Sequence, residues 1–163
     1  MEVHLIRHAH AGARFNGVND RYRQLSEKGF EQARGLMDFF ADRRPTRVLA
    51  SPATRCVQTV EPLARQAGLT VEEEPALWED VWLDEVLGLL NRVRDDKTPQ
   101  SKSSVVVMCS HGNIIPAVVE RLARDGAKVF GRGCERASIW RIRLIEGRWA
   151  EARYLTPRRN YLE

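Results

Sequence analysis

Three short apolar runs, each breaking off into a polar turn or a helix signal, set the architecture open to this chain. Val3-His4-Leu5-Ile6, Arg47-Val48-Leu49-Ala50 and Ser104-Val105-Val106-Val107-Met108-Cys109 are rich in aliphatic and β-branched residues and too short for buried helices, so they read as buried strands. Between them the hydrophobic period changes to that of a helix. Phe30, Ala33, Leu36, Met37 and Phe40 fall at helical spacing over residues 27–42, with Ser26 as the N-cap. Ser51 and Pro52 are a cap and first-turn pair for a second helix running to about Ala67, which Gly68 ends.

The rest of the chain continues the alternation. Residues 69–73 predict a short strand, Trp82 to Arg94 a helix, Asp95 to Ser103 a polar loop, and the run after His111-Gly112 a helix ending near Gly126. Ala137 to Leu144 and Trp149 to Leu155 flank Glu146-Gly147 as a terminal hairpin. Strands that alternate with helices predict a three-layer α/β/α sandwich around a mainly parallel central sheet. No repeat, low-complexity tract or linker interrupts residues 1–163, and that length suits a single domain.

Such sheets take their ligands beyond the carboxyl ends of the strands, and the residues there are chemically pointed. Arg7 and His8 follow the first strand, Arg55 stands one turn into the helix after the second, and His111 and Gly112 follow the third. Imidazole is a nucleophile at neutral pH without a separate base, because its ordinary pKa leaves most of it unprotonated. Forked guanidinium groups match the oxygens of a phosphoryl group. A second imidazole, protonated, would donate a hydrogen bond to the transferring group. Those residue types at one edge point to phosphoryl transfer, with His8 as nucleophile, Arg7 and Arg55 as phosphate holders and His111 as the second donor.

The strings that carry these residues resemble the histidine phosphatase superfamily, which includes phosphoglycerate mutases and the short SixA-type phosphohistidine phosphatases. They are Leu5-Ile6-Arg7-His8-Ala9, Leu25-Ser26-Glu27-Lys28-Gly29 with Gln32-Ala33, Ser51-Pro52-Ala53-Thr54-Arg55 with Thr59, and Ser110-His111-Gly112, in family order over about residues 3 to 125. The resemblance implies a phosphoglycerate mutase-like fold. It also implies a phosphohistidine formed on His8, a phosphate pocket lined by Arg7, Arg55, His111 and Gly112, release of phosphate by water, and neither metal nor organic cofactor. Ala9 stands where many members carry Gly, as in the SixA-like branch, and the short chain lacks the insertions of the mutases. The acid segment of the family is matched best by Glu79 in Leu77-Trp78-Glu79, with Asp80 and Asp84 as neighbouring alternatives for the proton donor. Arg14, in the loop after the nucleophile, is a candidate for a second phosphate or an acidic group of the substrate.

Composition narrows the alternatives. A formal charge of +4 favours an anionic ligand, yet no nucleic-acid reader motif or aromatic-basic stripe is present. No apolar run reaches the ~20 residues of a membrane span, and Met1-Glu2-Val3-His4 lacks the features of an export signal, so the expected location is cytoplasmic. Cys56, Cys109 and Cys134 are widely spaced and read as reduced packing residues; His4 reads as a core residue and His10 as a loop residue near the pocket. His4, His8, His10 and His111 lack the carboxylate spacing of a metal site. The expected partner is a phosphorylated small molecule, a nucleotide, or a phosphohistidine on a protein. The rival reading is a binding or scaffold module that keeps the fold without turnover.

Overall fold

The computed structural model describes residues 1–14, 19–97 and 103–156. Its central sheet has seven strands: β1 (Glu2–Arg7), β2 (Arg47–Ala50), β3 (Glu72–Glu73), β4 (Val105–Ser110), β5 (Lys128–Phe130), β6 (Ile139–Ile145) and β7 (Arg148–Leu155). Their order across the sheet is β3-β2-β4-β1-β6-β7-β5. Pairings β1–β4, β2–β4, β2–β3 and β5–β7 are parallel, and β1–β6 and β6–β7 are antiparallel. The expected mainly parallel sheet is therefore present, with an antiparallel hairpin added beside β1.

Side chains alternate across the strands, so each strand feeds both layers. Val3 and Leu5 of β1, Leu49 of β2 and Val106 and Met108 of β4 join one core. That core is covered by α3 (Leu83–Arg94) and α4 (Ile115–Arg124) through Val86, Leu89, Leu90, Ile115, Val118 and Leu122. Ile6, Val48, Ala50, Val107 and Cys109 face the other way, under α1 (Glu27–Ala41) and α2 (Thr54–Gln66). Phe39 and Phe40 anchor this second layer at 1% exposure each, a burial that contributes roughly 1.5–3 kcal/mol per side chain. His4 points into it and meets both rings edge-on, as a core residue would.

Local signals explain most boundaries. The Ser26 hydroxyl accepts from the Gly29 amide and starts α1 where the sequence places it. Gly68 takes a positive φ of 73° after α2. Glu146 and Gly147, at φ 52° and 77°, make the two-residue turn between β6 and β7, a geometry that matches the twist of paired strands.

Two expectations are corrected and one element is new. Ser51 and Pro52 do not cap α2, which begins at Thr54 after Ala53 without a side-chain cap; the Ser51 hydroxyl accepts from the Ala53 amide just before the helix and from His111. The strand expected over residues 69–73 is reduced to Glu72–Glu73. Lys128–Phe130 forms an edge strand that the sequence does not announce, since all three of its residues are exposed and show no apolar alternation. Much of the polar loop expected over residues 95–103, and part of that over residues 11–24, lies outside the described residues. Among the described residues, no helix is long and apolar enough to cross a membrane.

Candidate active site

The three parallel strands end level with one another. Arg7 of β1 pairs with Ser110 of β4, and Ala50 of β2 pairs with Cys109 of β4, so the residues that follow each strand emerge side by side. The His8 amide donates to Ser110 O at 3.0 Å, which carries the β1–β4 ladder one residue past the strand.

The orientation of the His8 ring follows from its partner. Its Nδ1 lies 2.8 Å from the Ala9 carbonyl oxygen, which only accepts, so Nδ1 carries the proton and Nε2 keeps its lone pair. Burial, aided by the cations of Arg55, Arg7 and Arg23, pushes the imidazole pKa down to about 4 against the opposing pull of the Ala9 carbonyl. The ring is 7% exposed and neutral at physiological pH. Ala9 itself is buried, and its φ is not positive, so the methyl group that replaces the common glycine meets no backbone objection. The Ala9 amide donates to Thr59 Oγ1 at 2.9 Å, and that hydroxyl donates to Arg55 O at 2.6 Å, tying the His8 loop to the first turn of α2.

Arg55 is the largest fully buried side chain, at 1% exposure. Its Nη1 donates to Asp20 O at 2.9 Å, and its Nη2 lies 3.2 Å from Glu79 Oε2 and 3.3 Å from Asp20 Oδ2. A buried cation needs such counter-charges, because desolvation of an unpaired one is prohibitive. Arg7 lies over Gly112, where a Cβ would come within 2.9 Å of its Cζ and Nε, and its Nη1 donates to Cys134 O at 2.6 Å. The Nε–H groups of Arg7 and Arg55 are both buried with no acceptor. Two guanidinium groups with unsatisfied N–H donors beside the imidazoles are suited to an anion; an orphaned Nε–H also occurs at Arg141, so it is the pairing with His8 and His111 that marks the site.

His111 sits between these groups at 2% exposure, its ring centroid 5.5 Å from that of His8. Its Nδ1 lies 3.4 Å from Arg55 Nη2, which can only donate, so Nδ1 accepts and Nε2–H donates to Ser51 Oγ at 2.9 Å. Burial first, then the Arg55 cation, push its pKa down to about 3. The expectation of a protonated second imidazole is therefore corrected: His111 is neutral in the structure.

Glu79 reaches the same spot, 3.7 Å from His111 Nδ1, and its carbonyl accepts from Asn113 Nδ2 at 2.6 Å. Asp80 is exposed, and Asp84 lines a separate cavity of about 440 Å³ between α3 and α4, with Arg121 and Arg148. The structure thus brings together Arg7, His8, Arg55, His111, Gly112 and Glu79, while Arg14 stands on the rim, 71% exposed and 3.6 Å from Asp20 Oδ1. His10 braces the loop through a 2.6 Å contact with Ser26 Oγ.

The family model for the histidine phosphatase superfamily (branch 1) matches residues 3–92. The chain belongs to the histidine phosphatase superfamily. An 8-oxo-(d)GTP phosphatase of Mycolicibacterium smegmatis is 30% identical over 159 residues, which are 95% of this chain and 48% of that protein. The chain thus spans about half the length of that curated relative. Among solved structures, SixA from Agrobacterium tumefaciens aligns over 96% of this chain and 98% of its own, with a TM-score of 0.69 and 25% identity. A SixA protein histidine phosphatase complexed with tungstate aligns over 96% and 95% of the two chains, with a TM-score of 0.72 and 21% identity, a likeness of fold. The fold is that of the phosphoglycerate mutase-like phosphatases.

In this member of the superfamily, three groups near the pocket escape sequence reasoning. Asp20, held in a short 3-10 turn over Asp20–Tyr22, contacts Arg55, Arg23 and Arg14; Asn113 holds Glu79; Ser51 orients His111. The one available signal for Asp20 is electrostatic: a buried Arg55 demands a nearby carboxylate.

Proposed function

We propose that this chain is a phosphatase that passes the phosphoryl group through His8. The observation that carries the reading is the His8 tautomer: the Ala9 carbonyl fixes the proton on Nδ1, leaving the Nε2 lone pair beside two guanidinium groups with unsatisfied N–H donors. Nε2 attacks phosphorus; the new N–P bond forms as the bond from phosphorus to the leaving group breaks, P–O in a monoester or P–N in a phosphohistidine, and Glu79 gives the departing oxygen or nitrogen its proton. Water then attacks phosphorus, Glu79 takes a proton back, and the N–P bond breaks to release phosphate and free His8. Arg7 and Arg55 hold the phosphoryl oxygens, whose charge must be balanced throughout.

His111 enters this scheme through its electrostatics. Its Nδ1 faces Arg55 and Glu79; burial first and the Arg55 cation second keep the ring neutral, and a phosphoryl anion arriving there opposes the second of these. The ring then takes a proton on Nδ1 and donates it as a hydrogen bond, while Nε2–H stays on Ser51. The donor role read from the sequence is therefore a property of the loaded pocket.

Two substrate classes have support. The SixA likeness favours a phosphohistidine on a protein, and the relative that acts on 8-oxo-(d)GTP favours a nucleotide. A single domain over residues 1–163 is part of the proposal, since β1 near one end pairs with β6 near the other. The test is phosphate release by His8→Ala. Turnover should fall below about a thousandth of the original in a folded variant, as when other nucleophiles are removed. Near-normal turnover would contradict the nucleophile assignment, and absence of turnover in both proteins, over a broad phosphoester panel, would favour the scaffold reading.

A further inference from the structure

Two loops meet over Arg55, one bringing Asp20 and the other Glu79. Each carries a large ring on its outer side, Tyr22 two residues from Asp20 and Trp82 three residues from Glu79. Among the described residues these are the two most exposed large apolar side chains, at 62% and 81%. Both belong to the carboxyl edge of the sheet: the first loop follows β1, and Trp82 precedes α3, the helix that follows β3. Rings left in water on the loops that carry Asp20 and Glu79 are suited to stack on a flat partner.

The same rim carries excess positive charge. Asp20 is shared by Arg14, Arg23 and Arg55, and Glu79 pairs with Arg55 as well, so two carboxylates serve three guanidinium groups. Arg21 lies 5.8 Å from the centroid of the Tyr22 ring. His10, on the loop beside His8, feels Arg136, Lys28 and Arg23 together, and their charges join its modest burial in holding its pKa below the usual value. Arg23 is already held by Asp20 and the Gly12 carbonyl, so with a phosphate on Arg7 and Arg55 the exposed Arg14 and Arg21 are the outer cations that face other anionic groups of the same molecule.

Resting on the phosphatase reading above, we propose that the substrate is a nucleoside polyphosphate. Its terminal phosphate enters the His8 pocket, its remaining phosphates lie along Arg14 and Arg21, and its base stacks on Trp82. The step is the one already balanced, with the shortened nucleotide as the leaving group. A phosphohistidine-bearing protein would bring the charge but not the exposed base that the rings await.

The experiment measures phosphate release from GTP, GDP, GMP and β-glycerophosphate by the chain and by Trp82→Ala and Trp82→Phe. The expected order of kcat/KM places GTP or GDP first, GMP next and β-glycerophosphate last. Trp82→Ala should raise the nucleotide KM about fivefold or more, in keeping with a lost base stack, with kcat changed less than about twofold and Trp82→Phe restoring most of the loss. The KM for β-glycerophosphate, which has no ring, should move far less. Equal effects on all substrates, or a preference for β-glycerophosphate, would overturn the proposal and leave the phosphatase reading standing. GTP binding to His8→Ala, followed by tryptophan fluorescence, needs no turnover. Binding unchanged by adding Trp82→Ala would overturn the stacking role even if the phosphatase reading itself failed.

Discussion

Arg55 shows how much of the site one residue organises. Its guanidinium draws a carboxylate from each of two loops, 35 and 24 residues away in sequence, and adds to the burial that keeps His111 neutral between them. The residues that end strands, Arg7, His8 and His111, were legible in the sequence because their position depends only on the strand before them. Asp20 was not, because its place depends on how a long loop folds back over α2. Glu79 was legible as a family match and lies within reach of Arg55 and His111, but contact alone does not separate a proton donor from a binding group. Leaving-group chemistry does. Glu79→Gln should slow hydrolysis of alkyl monoesters at least about tenfold more than that of aryl monoesters, because an alkoxide needs a proton to depart and a phenoxide of low pKa does not. Equal slowing, measured as kcat on the two substrates, would make Glu79 a binding residue.

At the scale of elements, α1 positions the nucleophile loop through an unusually close approach. A Cβ at Gly29 would lie 2.0 Å from the His10 carbonyl oxygen, and backbone cannot step aside as a side chain can. The strings quoted for the family include this glycine, but the sequence gives no hint that it makes room for the His10 backbone. Gly35, in the same helix, has open space around it. Replacing a helical glycine by alanine gains up to ~1 kcal/mol of propensity, whereas forced overpacking costs about 1–3 kcal/mol. Gly29→Ala should therefore lower Tm and activity while Gly35→Ala leaves activity intact and raises Tm; a Gly29→Ala variant as stable as its Gly35→Ala counterpart would contradict the contact. The start of α2 departs from its local signal for a related reason. Ser51-Pro52 has the composition of a cap, but the hydroxyl closes a turn onto the Ala53 amide while it also accepts from His111, and the helix starts only at Thr54.

For the whole molecule, parallel pairing of β1, β2 and β4 was legible because alternating strands and helices allow few other arrangements, while the edge strand β5 lay beyond reach because a three-residue exposed strand carries no periodic signal. The fold also buries three imidazoles in neutral form: His4, His8 and His111 all have pKa values below the ordinary 6.5, to about 4 for His8 and about 3 for His111. As pH falls below 6.5 the unfolded chain takes up protons at these positions and the folded chain does not, so stability declines until the folded rings protonate. Urea midpoints should drop steadily from pH 6.5 to about pH 4, and constant midpoints over that window would contradict the burial of neutral rings. The same neutral His8 leaves Nε2 ready to accept a phosphoryl group, which is the claim on which the rest depends. Rapid acid-free quenching of the enzyme with a phosphate-labelled substrate, followed by peptide mapping, tests it most directly. The account predicts a label on His8 that survives alkali and is lost in acid, as an N–P bond requires, and that is absent from His8→Ala; an acid-stable label on another residue, or turnover without any labelled enzyme, would contradict it.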